Sequence, residues 1–567
     1  MFKNWYFLIG FILTLSLLWP LFTAPYFSHQ DNVQTMRIYE MDQCFKDGQL
    51  PCRWVPDLGG GYGYPLFNYY APLPYYIGEL AFLLTGNLFI AAKFIFALPL
   101  ILSYIFMYLF ASKLWEKVGG SLSAIFYIYA PYHALNMYVR GAMGELWAFA
   151  FFPAIFWAYF RLKENSNLGN SLLLGLFLSL LILSHNLSTM LLLPILFVLM
   201  IFHLWRHKNF RFLEYCGLAI IFGAALSAFY FLPVIFERDL VHLETTVEGY
   251  FSYTEHFKGL TKLLINRDWT YGDSNREIPD GPRDGLSYQI GWVHLLGLVI
   301  SLWMAKVLWK GKRSTSLIII FFNLVILVSM FMIHPRSYFV WQWIEPLKYL
   351  QFPWRFLILI SFFISVLAGS IFLIQNREKN QKKIWIILTI LVVSLNFSFF
   401  KPEKLLNITQ PQLLSADSFN KLKMYAIFDF LPKSAEAPPA NPAPGYYEIL
   451  AGQSEIRNLE KGSNWLKFST QTTSHTIVRI NQYYFPTWVI KVDGNPVVFD
   501  YKNSLGLMNV LLGEGNHSVE VRLHDTPIRS IGNFTSTLGI LIFISLSLFT
   551  FEPARKKLTY YFKAFNK

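Results

Sequence analysis

The chain is 567 residues long, 54% hydrophobic and 18% aromatic, with a formal net charge of +13. Apolar stretches approaching the roughly 20 residues that cross a hydrocarbon core exclude a single soluble domain. The excess of Lys and Arg argues for no nucleic-acid partner, because the basic residues are not gathered in one place and sit between the apolar stretches.

Hydropathy predicts about twelve spans, at roughly 4–23, 88–112, 119–135, 143–160, 168–184, 187–205, 212–233, 288–306, 315–333, 355–375, 384–400 and 532–551. Alternate loops are basic, holding Lys113 and Lys117; Arg161 and Lys163; Arg206, Lys208 and Arg211; Lys306 to Arg313; and Arg377 to Lys383. Lys3 precedes the first span, and Arg555, Lys556 and Lys557 follow the last. By the positive-inside rule both termini are then cytosolic, and the long loops lie across a cell membrane from them. The first span also has the form of a secretion signal with Lys3 as its charged start, but Pro25, after Thr23 and Ala24, disfavours cleavage.

The outer loops are expected at 24–87 and 234–287, within a membrane domain of residues 1–400. The first carries Ser28-His29-Gln30-Asp31-Asn32, which sets an ionisable carboxylate at the membrane surface just where an apolar helix ends. Residues 31–45 mix polar side chains with Val33, Met36, Ile38, Tyr39 and Met41, the pattern of a helix lying in the interface. Cys44 and Cys52 share this loop, as a disulfide in an oxidising compartment or as two free thiols. The cluster Gly59-Gly60-Gly61-Tyr62-Gly63 lacks the Gly-Lys-Ser/Thr ending of a phosphate loop and reads as structural.

Three further polar clusters fall at outer ends of spans. Tyr132-His133 and Arg140 to Glu145 join the third and fourth spans, with Gly141 and Gly144 permitting close approach. His185 lies in the turn between the fifth and sixth. His334-Pro335-Arg336 and Gln351-Phe352-Pro353-Trp354-Arg355 precede the tenth, where Pro353 suits the first turn of a helix whose free N–H groups, beside Arg355, could bind a phosphate. Each cluster also has a plain reading: Arg140 with Glu145 as a structural ion pair, His133 and His185 as interfacial hydrogen-bonding groups, Arg355 snorkelling to lipid headgroups. No metal-ligand spacing is present. His29 and Asp31 are the one pair placed to share a divalent cation, and no cofactor is required by this reading.

Residues 401–531 change character. Pro432 to Pro444 is a Pro- and Ala-rich linker, and from about 446 to 525 apolar residues alternate with period two, as in Thr476 to Ile480, Trp488 to Val492 and Ser518 to Arg522. Asp493-Gly494 signals a hairpin and Gly513 to Asn516 another turn. The expectation is an extracytoplasmic β-sandwich-like domain, followed in 532–567 by the last span and a basic cytosolic tail.

An acid just after the first span, a long first outer loop, many spans and an outer soluble domain together resemble the GT-C superfamily of membrane glycosyltransferases. More narrowly, Tyr138-Val-Arg-Gly-Ala-Met-Gly-Glu145, Ser184-His-Asn186 and Gln351-Phe-Pro-Trp-Arg-Phe356 are similar to segments of bacterial YfhO-like membrane proteins, including those labelled 6-pyruvoyl-tetrahydropterin synthase-related. Tyr483 to Trp488, followed by Val492-Asp-Gly494, is similar to their outer β-domain. The resemblance implies inverting transfer of a sugar from a polyprenyl-phosphate donor to an extracytoplasmic acceptor, with Asp31 as base. It also implies substrate contacts from His29, His133, Arg140, Glu145, His185, Arg336 and Arg355. Several GT-C families have an Asp-Glu pair where this chain has Asp31-Asn32, so one carboxylate is expected to act alone. Two alternatives stand beside this: a transporter or flippase of lipid-linked saccharides, and a non-catalytic envelope assembly protein.

Overall fold

The computed structural model describes residues 4–275, 285–374, 377–424 and 430–565, with backbone alone from 549 onwards. Lys3, residues 276–284 of the central loop and the side chains of Arg555, Lys556 and Lys557 lie outside what is described. The principal helices are α1 (Trp5–Ser16), α2 (Gln34–Lys46), α3 (Leu73–Thr85), α4 (Leu88–Ile128), α5 (Met143–Glu164), α6 (Leu168–Ile182), α7 (Asn186–His207), α8 (Phe210–Phe236), α9 (Trp292–Leu308), α10 (Arg313–Ile333), α11 (Leu357–Ala368), α12 (Glu378–Asn396) and α13 (Pro527–Phe565).

Eight of the described helical segments are long and apolar enough to cross a membrane, and α1, α6 and α9 are shorter apolar helices. They account for the twelve apolar segments because α4 holds two. It breaks at Trp115 and Glu116, where Glu116 has φ 62° and ψ 179°. Beyond the break, a Cβ on Gly120 would lie 2.7 Å from the Ser112 nitrogen, so the missing side chain lets the chain fold back. The first segment is also interrupted: α1 ends at Ser16, and a separate turn, Trp19–Thr23, starts around Pro20, which has no N–H to continue the ladder. Helix α5 and the segment Pro353–Ile374 are the most enclosed, with 94% and 83% of their apolar windows buried, and they form the centre of the bundle. At the ends rich in base, Lys113 pairs with Glu164, and Arg206 bonds Ser314.

The C-terminal strands are β1 (Tyr447–Ala451), β2 (Ser454–Lys461), β3 (Trp465–Thr472), β4 (Thr476–Tyr483), β5 (Trp488–Val492), β6 (Asn495–Val497), β7 (Leu507–Leu512) and β8 (Gly515–Leu523). They form two antiparallel sheets, ordered β2-β3-β8-β5-β6 and β1-β4-β7. Buried Phe468, Val519 and Val521 of one sheet share a core with Val478, Ile480 and Val510 of the other. Asp493 and Gly494, both at positive φ, close the β5-β6 hairpin. The turn after β7 passes the chain between sheets, since β7 pairs with β4 and β8 with β3 and β5.

This domain is anchored to the first large loop. The Asp47 carboxylate accepts from the Ser463 N–H at 2.6 Å, its hydroxyl at 2.9 Å and the Trp465 indole at 3.0 Å. Trp54 meets Trp488 edge to face and donates to Gln482 at 3.2 Å. Between these contacts Cys44 and Cys52 form a disulfide. Gly59, Gly60, Gly61 and Gly63 all have positive φ, and the Pro/Ala linker docks on them through Ala443 N–H to Gly60 O at 2.7 Å.

One expectation is corrected here. The helix of residues 31–45, read as lying in the membrane interface, is α2, and it is buried on nearly every side, including Arg37, Glu40 and Asp42. Helix α3 closes over it where Gly78 leaves room for Ile38, and Tyr39 meets Phe419 on another side.

Candidate active site

Asp31 reaches its position through backbone pairing. The N–H groups of Gln30 and Asp31 donate to the carbonyls of Val139 and Arg140, each at 2.9 Å, and Gln34 donates to the Gly141 carbonyl at 2.8 Å. The partner segment, Leu135–Arg140, is a π-helical turn that ends at Gly141 with φ 64°. A Cβ there would sit 2.4 Å from His29 Nδ1, so glycine is needed both for its conformation and for the approach of the first loop. Gly144 does the same for the Ser184 carbonyl, which a Cβ would approach to 2.6 Å.

The result is a cavity of about 620 Å³ whose lining includes Asp31, Arg140, Glu145, His185 and Arg355. Five of the eight residues singled out in the sequence, from four separate segments, therefore meet in one place. Tyr69, Tyr70, Tyr250, Phe352 and Trp354 give the same cavity aromatic walls.

Its charged centre is a cluster of two arginines around one carboxylate. Arg140 Nη1 lies 2.7 Å from Glu145 Oε2, and Arg355 Nε lies 3.9 Å from the same oxygen. Tyr132 donates to Glu145 Oε1, and Asn136 accepts from Arg140. Arg140 lies 4.5 Å over the Trp354 ring, and Arg355 is held by the Leu350 carbonyl at 2.6 Å and Gln351 Oε1 at 3.0 Å. Burial works against the Arg140 charge, but Glu145 together with Tyr132 and Tyr288 outweighs it and holds the guanidinium above its ordinary value. Arg355 Nε is buried with no hydrogen-bond partner among the described residues, so this corner carries one cation more than its own anion neutralises. Pro353 opens the short helical turn Pro353–Phe356 that presents Arg355, as its sequence predicted.

Asp31 stands in a different setting. Its side chain is 26% exposed, and Oδ2 accepts from Arg37 Nη1 and Gln34 Nε2, each at 2.9 Å. Oδ1 takes no hydrogen bond from the described residues. Sequence reading missed Arg37 because a charged residue on a mixed helix normally faces water. Its spacing of six from Asp31 fits no simple helical pairing, since α2 begins only at Gln34.

Three expected site residues are placed elsewhere. His133 is fully buried, stacks on Phe149 with ring centroids 4.3 Å apart, and directs Nδ1 to the Tyr127 carbonyl. Arg336 is exposed in the turn Pro335–Ser337 and does not line the cavity. His29 lies behind Asp31, with Nε2 3.2 Å from the Tyr26 hydroxyl, and burial pushes its imidazole down to about 4. It packs the wall without lining it. His185 does line the cavity, accepts the Ser188 N–H at Nδ1, and is pushed down to about 3 by burial, with Arg355 and Arg140 adding to the effect. A neutral ring accepting at Nδ1 carries its proton on Nε2.

In the pair read as able to share a cation, His29 Nε2 faces Tyr26 and Asp31 Oδ2 faces Arg37. Among the described residues no group of three or more His, Cys, Asp or Glu side chains is arranged to hold a metal.

An uncharacterized protein of Lactococcus lactis subsp. cremoris (strain MG1363) is 21% identical to this chain over 240 residues, 41% of this chain and 39% of that protein. Among solved structures, similarity is found to an Archaeoglobus fulgidus oligosaccharyltransferase complex with Zn and sulfate, at 13% identity and TM-score 0.42, over 70% of this chain and 52% of that one. The arabinofuranosyltransferase AftD from Mycobacteria matches at 12% identity and TM-score 0.46, over 71% and 27%. ArnT from Cupriavidus metallidurans, bound to undecaprenyl phosphate, matches at 13% and 0.39, over 68% and 62%. In each case less than two thirds of the other protein is covered. The segment 67–401, which carries the arginine cluster, matches the model of a family of membrane proteins described as 6-pyruvoyl-tetrahydropterin synthase-related, and the chain belongs to that family.

Proposed function

We propose that this protein is an inverting membrane glycosyltransferase that uses a polyprenyl-phosphate-linked sugar and delivers it to an extracytoplasmic hydroxyl on an envelope glycan, lipid or protein. One observation carries the reading: a single cavity holds an oriented, partly exposed carboxylate, Asp31, together with two largely buried arginines that share one counter-ion. Such a site has a proton acceptor and an anion cradle, the two things that displacement of a phosphate from a sugar requires. The motif resemblance of Tyr138 to Glu145 and Gln351 to Phe356 agrees with it.

In the proposed step the acceptor hydroxyl gives its proton to Asp31 as its oxygen bonds to the anomeric carbon. The bond from that carbon to the phosphate oxygen breaks, and its electron pair leaves with the polyprenyl phosphate. Arg140 and Arg355 offset the charge gained by that leaving group, and the His185 Nε2–H supplies a neutral donor beside them. The cavity opens on the extracytoplasmic face in this reading, with both termini in the cytosol and the lipid tail of the donor remaining in the bilayer.

The test is transfer from undecaprenyl-phosphate-linked labelled sugars by the purified chain in proteoliposomes. Asp31→Asn is expected to lower turnover by about 10²- to 10⁴-fold, the range general base catalysis contributes, while the protein still inserts. Full turnover in that variant removes the assigned role, and translocation or binding without transfer would mark a flippase or an assembly protein.

A further inference from the structure

We infer that Arg37 is a positioning residue for Asp31, and that Gln34, Tyr70 and Tyr75 complete the frame that holds the carboxylate. The inference rests on the reading of Asp31 as the base. Arg37 is 2% exposed, and among the described residues its carboxylate partner within 4 Å is Asp31. A buried guanidinium must keep a counter-charge, so the pair constrains Asp31 as strongly as it constrains Arg37.

The frame is closed. Arg37 Nη1 donates to Asp31 Oδ2 at 2.9 Å and lies 3.1 and 3.0 Å from the hydroxyl oxygens of Tyr70 and Tyr75. Tyr75 donates to Gln34 Oε1 at 2.7 Å, and Gln34 Nε2 returns to Asp31 Oδ2 at 2.9 Å. The guanidinium also lies 4.2 Å over the Tyr70 ring, which adds a cation–π contact on its flat face. Every member belongs to the first loop or to α2 and α3, and Gln34 ties the frame to Gly141 beside the arginine cluster.

Two consequences follow for the reaction. Both donors take Oδ2, which leaves Oδ1 as the oxygen offered to an acceptor hydroxyl. The frame also keeps Asp31 from swinging to Arg140, whose own carbonyl accepts the Asp31 N–H. A base paired with the phosphate-binding cation would remove both from the chemistry.

The full chain, reconstituted with a panel of undecaprenyl-phosphate-linked hexoses and pentoses and host membranes as acceptor, separates the outcomes. Arg37→Met is expected to lower kcat by about 10- to 100-fold, the cost of a misplaced catalytic group, with donor KM changed by less than about two-fold. Arg37→Lys should recover part of the loss, because it restores the charge without the fork. Tyr75→Phe, which deletes one hydroxyl and leaves the ring packing, should lower kcat by about 3- to 10-fold in protein that is still fully folded at the assay temperature, though with a lowered unfolding midpoint, and it reads the frame even where Arg37→Met folds poorly. Undiminished kcat in both Arg37→Met and Tyr75→Phe, while Asp31→Asn is inactive, overturns the positioning role and leaves the base intact. An active Asp31→Asn overturns the base itself.

Discussion

Gly141 shows how much of this site depends on one absent side chain. Its φ of 64° and the 2.4 Å separation that a Cβ would have from His29 Nδ1 oppose any substitution twice over. Gly141→Ala is expected to cost about 1–3 kcal/mol of stability and most of the activity, whereas Gly217→Ala, inside α8 with nothing within 4 Å, should leave transfer unchanged and raise stability by about 0.4–1 kcal/mol. The buried histidines predict a pH dependence of definite sign. The His29 imidazole is pushed down to about 4, so the unfolded chain binds more protons than the folded one between that value and about pH 6.5. Stability should therefore fall as pH drops through this window and show no such dependence above it, and His29→Gln should flatten the acid limb of the unfolding midpoint against pH. Single residues were also where the sequence was least informative. Asp31, Arg140, Glu145 and Arg355 stood out because they fall at outer ends of apolar spans, yet nothing in their spacing said that they share one cavity. Arg37 looked like an ordinary solvated residue, because burial of α2 depends on α3 and the C-terminal region, far away in the chain.

At the scale of elements the sequence was more legible, for a physical reason. Spans are set by local apolar length and strands by local alternation, so the apolar segments and β4, β5 and β8 could be read without knowing their neighbours. The turn Asp493-Gly494 was equally local. What could not be read was where elements touch. The break in α4 at Glu116 relies on Gly120 contacting Ser112, and the docking of the β-domain relies on Asp47. Asp47 accepts three hydrogen bonds from Ser463 and Trp465, so Asp47→Ala leaves donors without their charged partner. The expected result is a loss of about 1–3 kcal/mol and faster cleavage of the 432–444 linker in limited proteolysis, with the helices still inserted.

Across the whole molecule, a buried ion pair joins distant segments beneath the cavity wall. Glu237 at the end of α8 holds Arg529 of α13 at 2.8 Å and accepts from Asn68 at 3.1 Å. Arg53 of the first loop bonds Asn68, the Phe229 carbonyl and Asn533 in the same layer. Arg529→Met would strand the Glu237 charge in an enclosed site, with an expected destabilisation of about 3–5 kcal/mol, while the double variant with Glu237→Gln should recover much of it in thermal unfolding of solubilised protein.

The Glu237 to Arg529 pair has a consequence for biogenesis. When a ribosome has made the chain only up to α12, Arg53, Asp47 and Trp54 still await the partners they meet between Ser463 and α13. The layer beneath the cavity wall is thus joined only once α13 has been made, and a nascent chain stalled before Pro527 would hold the Glu237 carboxylate without its Arg529 partner.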